Sequence, residues 1–334
     1  MREPAFWWRP VSWPSRALAP LSSIYGFVAT RRLARAGAAV GLPVICVGNY
    51  HVGGAGKTPV AIALARLLGD AGERPFLLSR GYGGSLEGPV RVDPDKHRAA
   101  DVGDEPLLLA TAAPTIVARD RVAGARLAKT QGASVIVMDD GLQNPSLKKH
   151  LALVVVDGAR GVGNGRVFPA GPMRAPLDRQ LRRTDGLIII GDGAAADDLA
   201  GAVAARGGLV LRARFVPDSK AVADLRGRRV LAFAGIGDPK RFFVTLRAAG
   251  IDPAEVRAFA DHHPYRLEEI EALRAAARSD DLLLVTTEKD FVRLRGTIAK
   301  DISDIAAFPI SVAFDNEAEL CRCLRKAMAG ARTS

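Results

Sequence analysis

The sequence predicts an α/β fold: a mostly parallel sheet with helices on both faces, a smaller α/β domain after it and an amphipathic helix before it. Three observations point there. Near-continuous Val/Ile runs alternate with helical patterns up to Ile190, and such runs are strands buried on both faces. One of these strands opens into a glycine-rich turn and then into an apolar helix. Beyond Gly191-Asp192-Gly193 and Gly207-Gly208 the texture loosens, and a second strand–helix alternation begins.

Residues 1–38 carry all three tryptophans, Trp7, Trp8 and Trp13, among Arg9 and Arg16. Leu21, Ile24, Tyr25 and Val28 then fall at helical spacing, closed by Arg31, Arg32 and Arg35. No apolar run approaches the roughly 20 residues that span a bilayer, and no compact apolar stretch ends in a small-residue cleavage site. Tryptophan and arginine around a short amphipathic helix suit a membrane–water interface, so this segment is expected to lie on an anionic membrane surface.

Residues 39–205 are expected to form the first domain, with strands over 43–47, 75–78, 115–118, 134–138, 151–156 and 186–190. Helices are expected over 59–68, 105–112 and 120–129. Residues 206–334 are expected to form the second, with strands over 229–233, 255–258, 282–286 and 310–312 and helices over 239–249, 267–276 and 317–329. In such sheets ligands bind at the carboxyl ends of the strands.

The stretch from Val44 to Val60 carries the most chemistry. Strand, glycine loop (His51, Val52, Gly53, Gly54, Ala55, Gly56), Lys57-Thr58 and helix is the order of a phosphate-binding loop, so the first domain is read as NTPase-like. Backbone amides and the helix start would cradle phosphates, Lys57 would neutralise them, and the Thr58 hydroxyl would ligate Mg²⁺. The fit is imperfect, because His51 stands where the usual spacing puts the first glycine. A second strand ends in Asp139-Asp140, either of which would hold Mg²⁺. Asp104 and Glu105, in a loop before a helix, are candidates for the carboxylate that takes a hydroxyl proton. Alone, Asp104 would read as a helix cap. Arg80, after another strand, and the glycine-rich loop bearing Arg160, Arg166 and Arg174 suit an anion. Lys289 and Asp290 are adjacent, which is not the order that reads guanine in GTPases.

The formal net charge is +11, but no zinc finger, aromatic RNA-binding signature or reader helix accompanies it, so no nucleic-acid partner is expected. Three cysteines make no disulfide framework and read as reduced thiols.

Taken together these pieces resemble the tetraacyldisaccharide 4′-kinase family over nearly the whole chain. The resemblance rests on Val47-Gly-Asn-x-x-Val-Gly-Gly-x-Gly-Lys-Thr-Pro59, Ser79-Arg-Gly-Tyr-Gly83, Val102-Gly-Asp-Glu-Pro106, Asp139-Asp-Gly-Leu-Gln143, Gly163-Asn-Gly-Arg166, Pro169-Ala-Gly-Pro-x-Arg174, Asp261-His-His263 and Thr287-Glu-Lys-Asp290. It implies transfer of the γ-phosphate of ATP, with Mg²⁺, to the 4′-hydroxyl of a tetraacylated glucosamine disaccharide 1-phosphate. It further implies a place on the cytoplasmic face of the bacterial inner membrane; a monomer is expected. By the same resemblance Glu105, Asp139 and Asp140 surround the metal and Asp104 activates the hydroxyl. Tyr82, Gln143, Arg174 and His262 match residues near nucleotide or substrate, and Arg80, from its own chemistry, is also expected to bind substrate. Asn144 takes a place where the family often has a histidine paired with the catalytic aspartate. It is therefore expected to orient Asp104 without sharing its proton. The competing expectations are a soluble ATPase or GTPase of maturation or switch type, and a nucleotide-binding scaffold without catalysis.

Overall fold

The computed structural model describes residues 3–297 and 302–332; the outermost ends of the expected first and last segments lie outside them. Among the described residues thirteen strands form two sheets. In chain order they are β1 (Val44–Gly48), β2 (Pro75–Ser79), β3 (Val90–Arg91), β4 (Thr115–Val117), β5 (Val135–Asp139), β6 (Leu151–Asp157), β7 (Gly186–Ile190), β8 (Leu209–Pro217), β9 (Val230–Ala234), β10 (Glu255–Ala258), β11 (Leu283–Thr287), β12 (Ile305–Phe308) and β13 (Ile310–Phe314). The large sheet runs β13-β8-β7-β6-β1-β5-β2-β4-β3, parallel except for its outer pairs β13–β8 and β3–β4. The small sheet, β10-β9-β11-β12, is wholly parallel.

Every residue of β1, β5 and β7 is buried, as apolar runs covered on both faces require. Alternate β1 residues serve different layers. Val44 and Cys46 pack with Ala125 and Ala128 of the helix Arg121–Thr130. Ile45 and Val47 pack with Val60, Leu64 and Leu68 of the helix Lys57–Asp70. The last helix, Glu317–Arg332, adds Leu320, Leu324 and Met328 to that second layer.

The partition differs from the one expected at residue 206. β8 and β13 both belong to the large sheet, paired antiparallel from Ile310↔Pro217 to Phe314↔Ala213. The smaller unit is therefore an insertion between Pro217 and Ile310. The alternating strand β8 hides behind Arg212 and Arg214, whose exposed positions fit a strand near a sheet edge.

The amino-terminal helix Ala19–Leu33 buries its small face. Ser22 Oγ donates to the Val167 carbonyl at 2.7 Å, and Gly26 lies against Pro176 and Val167. Its apolar face points outward: Leu21 is 58 %, Ile24 66 %, Phe27 59 % and Val28 60 % exposed. The tryptophans divide differently from the expectation. Trp7 is buried, its indole N–H donating to the Pro169 carbonyl at 3.0 Å, and Trp8 lies beneath the Arg160 guanidinium; Trp13 alone of the three is largely exposed. An indole N–H that reaches a carbonyl can be buried in protein as readily as at an interface. No helix among the described residues is long and apolar enough to cross a membrane.

Candidate active site

The carboxyl ends of β1, β2, β5 and β6 open onto one cleft of about 2280 Å³, which the inserted unit overhangs. The β1 loop forms one wall. Gly56 sits at φ +88°, and a Cβ there would stand 2.7 Å from the Phe215 ring, so only glycine fits. Asn49 Nδ2 donates to the Gly53 carbonyl at 3.1 Å, and the Val52 amide donates to the Pro172 carbonyl at 2.8 Å. His51 replaces the usual glycine without intruding on the cleft. Its ring is buried, and desolvation, with the positive charges of Lys57, Arg174 and Arg160, pushes its pKa down to about 4. It is a neutral packing residue.

Parallel pairing sets Val47 of β1 beside Asp139 of β5, which brings the acids to the mouth of the loop. Thr58 Oγ1 donates to Asp139 Oδ2 at 3.2 Å, and Lys57 Nζ lies 3.8 Å from Asp140 Oδ1. Asp139 Oδ1 is buried with no partner. Burial, reinforced by the charges of Glu105 and Asp140, raises its pKa to about 7. Among the described residues no group of three or more His, Cys, Asp or Glu could hold a metal ion unaided. An orphaned carboxylate oxygen beside a threonine hydroxyl is instead the half-site that Mg²⁺ completes with phosphate oxygens. The residues present fit that ion.

Arg174 and Gln143 brace this wall. Arg174 donates to Asp140 Oδ1 at 2.7 Å and to the His51 carbonyl at 3.0 Å. Gln143 Nε2 donates to the Asn49 carbonyl at 2.7 Å and to Gln180 Oε1 at 2.7 Å.

The facing wall is assembled from both units. Asp104 heads the helix Asp104–Leu109 and is 4 % exposed. His262 Nδ1 donates to its Oδ2 at 3.0 Å, Arg293 Nη2 donates to the same oxygen, and Lys289 Nζ stands 3.9 Å away. Burial alone would raise the Asp104 pKa, but the His262 hydrogen bond and the charges of Lys289, Arg293 and His262 hold it well below the carboxylate range. Arg293 is anchored on Asp290 Oδ1 at 2.7 Å, and Asp290 also receives the Tyr265 hydroxyl at 3.0 Å. Lys289 donates to Glu105 Oε1 at 3.2 Å. Tyr82 is 70 % exposed and stands edge-on to His262 at 5.9 Å. Arg80 is exposed and lines the cleft.

Asn144 does not meet the expectation set for it. Its Oδ1 accepts from the Ser146 amide at 2.9 Å and hydroxyl at 2.6 Å, and its carbonyl accepts from Lys149. It closes a local turn, and the partners of Asp104 come from the inserted unit. Arg293 and Arg121 escaped the sequence reading, and Lys289 is read there only as part of the Thr287–Asp290 motif, with no role at Asp104. Lys289 and Arg293 sit on the helix Glu288–Thr297, a helix the sequence reading does not include. Arg121 is buried in the field of Asp139 and Asp140, and its position just after the capping Asp120 gave no signal.

A sheet with a phosphate-type loop on β1, acids on the neighbouring β5 and a carboxylate across a roofed cleft defines a phosphoryl-transfer enzyme of the phosphate-loop class. Residues 14–329 match the family described as tetraacyldisaccharide-1-P 4′-kinase. Tetraacyldisaccharide 4′-kinase of Rhodopseudomonas palustris (strain HaA2) is 60 % identical over 333 residues, covering 100 % of this chain and 98 % of that one. Its counterpart in Nitrobacter winogradskyi is 60 % identical over 334 residues, covering 99 % of each. The crystal structure of the "apo" form of LpxK from Aquifex aeolicus in complex with ATP superposes with a TM-score of 0.73 at 25 % identity, covering 94 % of this chain and 99 % of that one. The chain belongs to the tetraacyldisaccharide-1-P 4′-kinase family.

Proposed function

We propose that this protein transfers the γ-phosphate of ATP to the 4′-hydroxyl of a tetraacylated glucosamine disaccharide 1-phosphate at a membrane surface. The observation that carries this reading is the pair of opposed walls: Lys57 and Thr58 beside Asp139 and Asp140 on one side, a buried ionised Asp104 on the other, around one cleft.

The loop amides and Lys57 hold the triphosphate tail and offset its charge. Thr58 and Asp139, with Asp140 and Glu105 nearby, would hold Mg²⁺, which would supply charge neutralisation of the phosphates. Asp104 accepts a hydrogen bond from the sugar hydroxyl and aims its oxygen at the γ-phosphorus. As that oxygen bonds to phosphorus, the bridge to the β-phosphate breaks, ADP leaves with the electron pair, and the hydroxyl proton passes to Asp104. A weakly basic carboxylate suits a loose transition state, in which the proton leaves late. His262, Arg293 and Lys289 fix the carboxylate, and Tyr82 offers a ring face at the cleft mouth for a sugar.

The outward face of Leu21, Ile24, Phe27 and Val28, followed by Arg31 and Arg32, supports docking on an anionic leaflet. The need for ATP puts that leaflet on the cytoplasmic side. The test is transfer of label from γ-labelled ATP in mixed micelles, with and without the disaccharide lipid. Label is expected in the lipid, at the 4′ position. Release of free phosphate at the same rate in both reactions would overturn the reading.

A further inference from the structure

Beside the phosphate loop the chain already holds an anion of its own. Glu3 runs across the loop so closely that a Cβ built on Gly53, at φ +108°, would overlap its Oε1. Its other oxygen accepts from Arg160 Nη2 at 2.6 Å and from the Trp8 indole N–H at 2.8 Å. The Arg160 guanidinium lies 3.8 Å from the centre of the Trp8 ring, and Trp8 stands edge-on to His51 at 5.2 Å. Glu3, Arg160 and the loop from Val52 to Thr58 line the same cleft.

We propose that Arg160 is a further nucleotide-binding residue, and that Glu3 is an internal stand-in for a phosphate which ATP displaces from it. The inference rests on the kinase reading only in taking the ligand to be a nucleoside triphosphate.

The chemistry favours an exchange. A guanidinium takes carboxylate and phosphate in the same forked geometry, so one group serves both anions in turn. The Glu3–Arg160 pair is still open to solvent, its side chains 26 % and 35 % exposed, and solvent screening weakens such pairs. A triphosphate brings more charge to the same amides and the same cation. Arg160 need not travel, because Trp8 stacking and the loop that begins at Asp157 fix it: the Asp157 carboxylate accepts from the Ala159 and Arg160 amides at 2.9 and 3.2 Å. Trp7 pins the strap that delivers Glu3 through the Pro169 carbonyl, and its own carbonyl accepts from the Asn164 amide at 2.8 Å, so the carboxylate is returned to the loop when the nucleotide leaves. An occupant that must be expelled lowers apparent affinity by the fraction of time it is bound.

The test is calorimetric titration of the full chain with Mg²⁺ and the non-hydrolysable analogue AMP-PNP. Glu3→Gln keeps an acceptor for Trp8 but removes the competing charge, and is expected to tighten binding about threefold. Arg160→Ala is expected to weaken it about tenfold, and Arg160→Lys to recover part of that loss. In the Arg160→Ala background Glu3→Gln should lose its effect. A melting scan of each variant separates this from folding. Weaker or unchanged binding by Glu3→Gln in a normally folded chain would overturn the proposal and reduce the pair to a strut. So would an Arg160→Ala variant of parental affinity. Neither result would bear on the kinase reading itself, which the formation of labelled lipid tests separately.

Discussion

The two walls of the cleft are built in opposite ways. The phosphate-loop wall is local: Lys57 and Thr58 come from one turn, and a single strand pairing supplies Asp139. The Asp104 wall is assembled at long range, because the partners of that carboxylate, His262, Lys289 and Arg293, lie more than 150 residues along the chain in the inserted unit. A local wall forms when its domain folds. The assembled wall exists only while the two units are docked. Damage to the first should abolish nucleotide binding, whereas damage to the second should spare binding and stop transfer.

The largest effect belongs to the local wall. Lys57→Ala should lower transfer about 1000-fold or more and weaken ATP binding with it, measured by labelled-lipid formation and by titration. Asp104→Asn should cost about 100-fold or more in kcat and leave the ATP Kd within about twofold, because the carboxylate meets the acceptor and not the nucleotide. His262→Ala should cost about tenfold in kcat, whereas Asn144→Ala should stay within about twofold. Equal losses from those two would contradict the placement of Asn144 in a turn.

The outer helix offers a third point of comparison. Ile24→Ser with Phe27→Ser should reduce sedimentation with anionic vesicles about tenfold and leave ATP affinity unchanged, since both side chains are largely exposed and neither lines the cleft.

The smallest effect is on stability. Burial raises the Asp139 pKa from 3.8 to about 7, so the folded state keeps a proton that the unfolded state releases. That contribution is full below pH 4 and is lost as pH rises through 7. Without nucleotide or metal, the parent should melt lower at pH 8 than at pH 5. Asp139→Asn should flatten that fall and melt about 3 °C above the parent at pH 8. Parallel curves for the two proteins would show that Asp139 is not the group responsible.

The difference between the walls also explains what could be read from the residues. The strand preceding Lys57, the strand ending in Asp139 and the helix from Lys57 are contiguous patterns whose periodicity reports burial directly. The membership of β8 and β13 in the large sheet is not contiguous: the inserted unit separates the two partners, and the Leu211-Arg-Ala-Arg-Phe215 alternation of β8 names no partner strand. Lys289 and Arg293 fall on one turn of a helix, and nothing in that spacing names a carboxylate in another unit. Asn144 follows Gln143 immediately, yet Ser146 occupies its side-chain oxygen in a local turn. Trp7 and Trp8 had the composition of an interfacial belt, but indole N–H partners in the fold, the Pro169 carbonyl and Glu3, claimed them.

The central claim is that one wall grips the triphosphate while the other prepares the acceptor. Its most direct test is a pair of measurements on Asp104→Asn: equilibrium binding of ATP with Mg²⁺, and single-turnover transfer of the γ-phosphate to the tetraacyl disaccharide 1-phosphate. The account predicts parental binding and a transfer step slowed about 100-fold or more. Transfer at the parental rate, or loss of ATP binding from a normally folded variant, would contradict it.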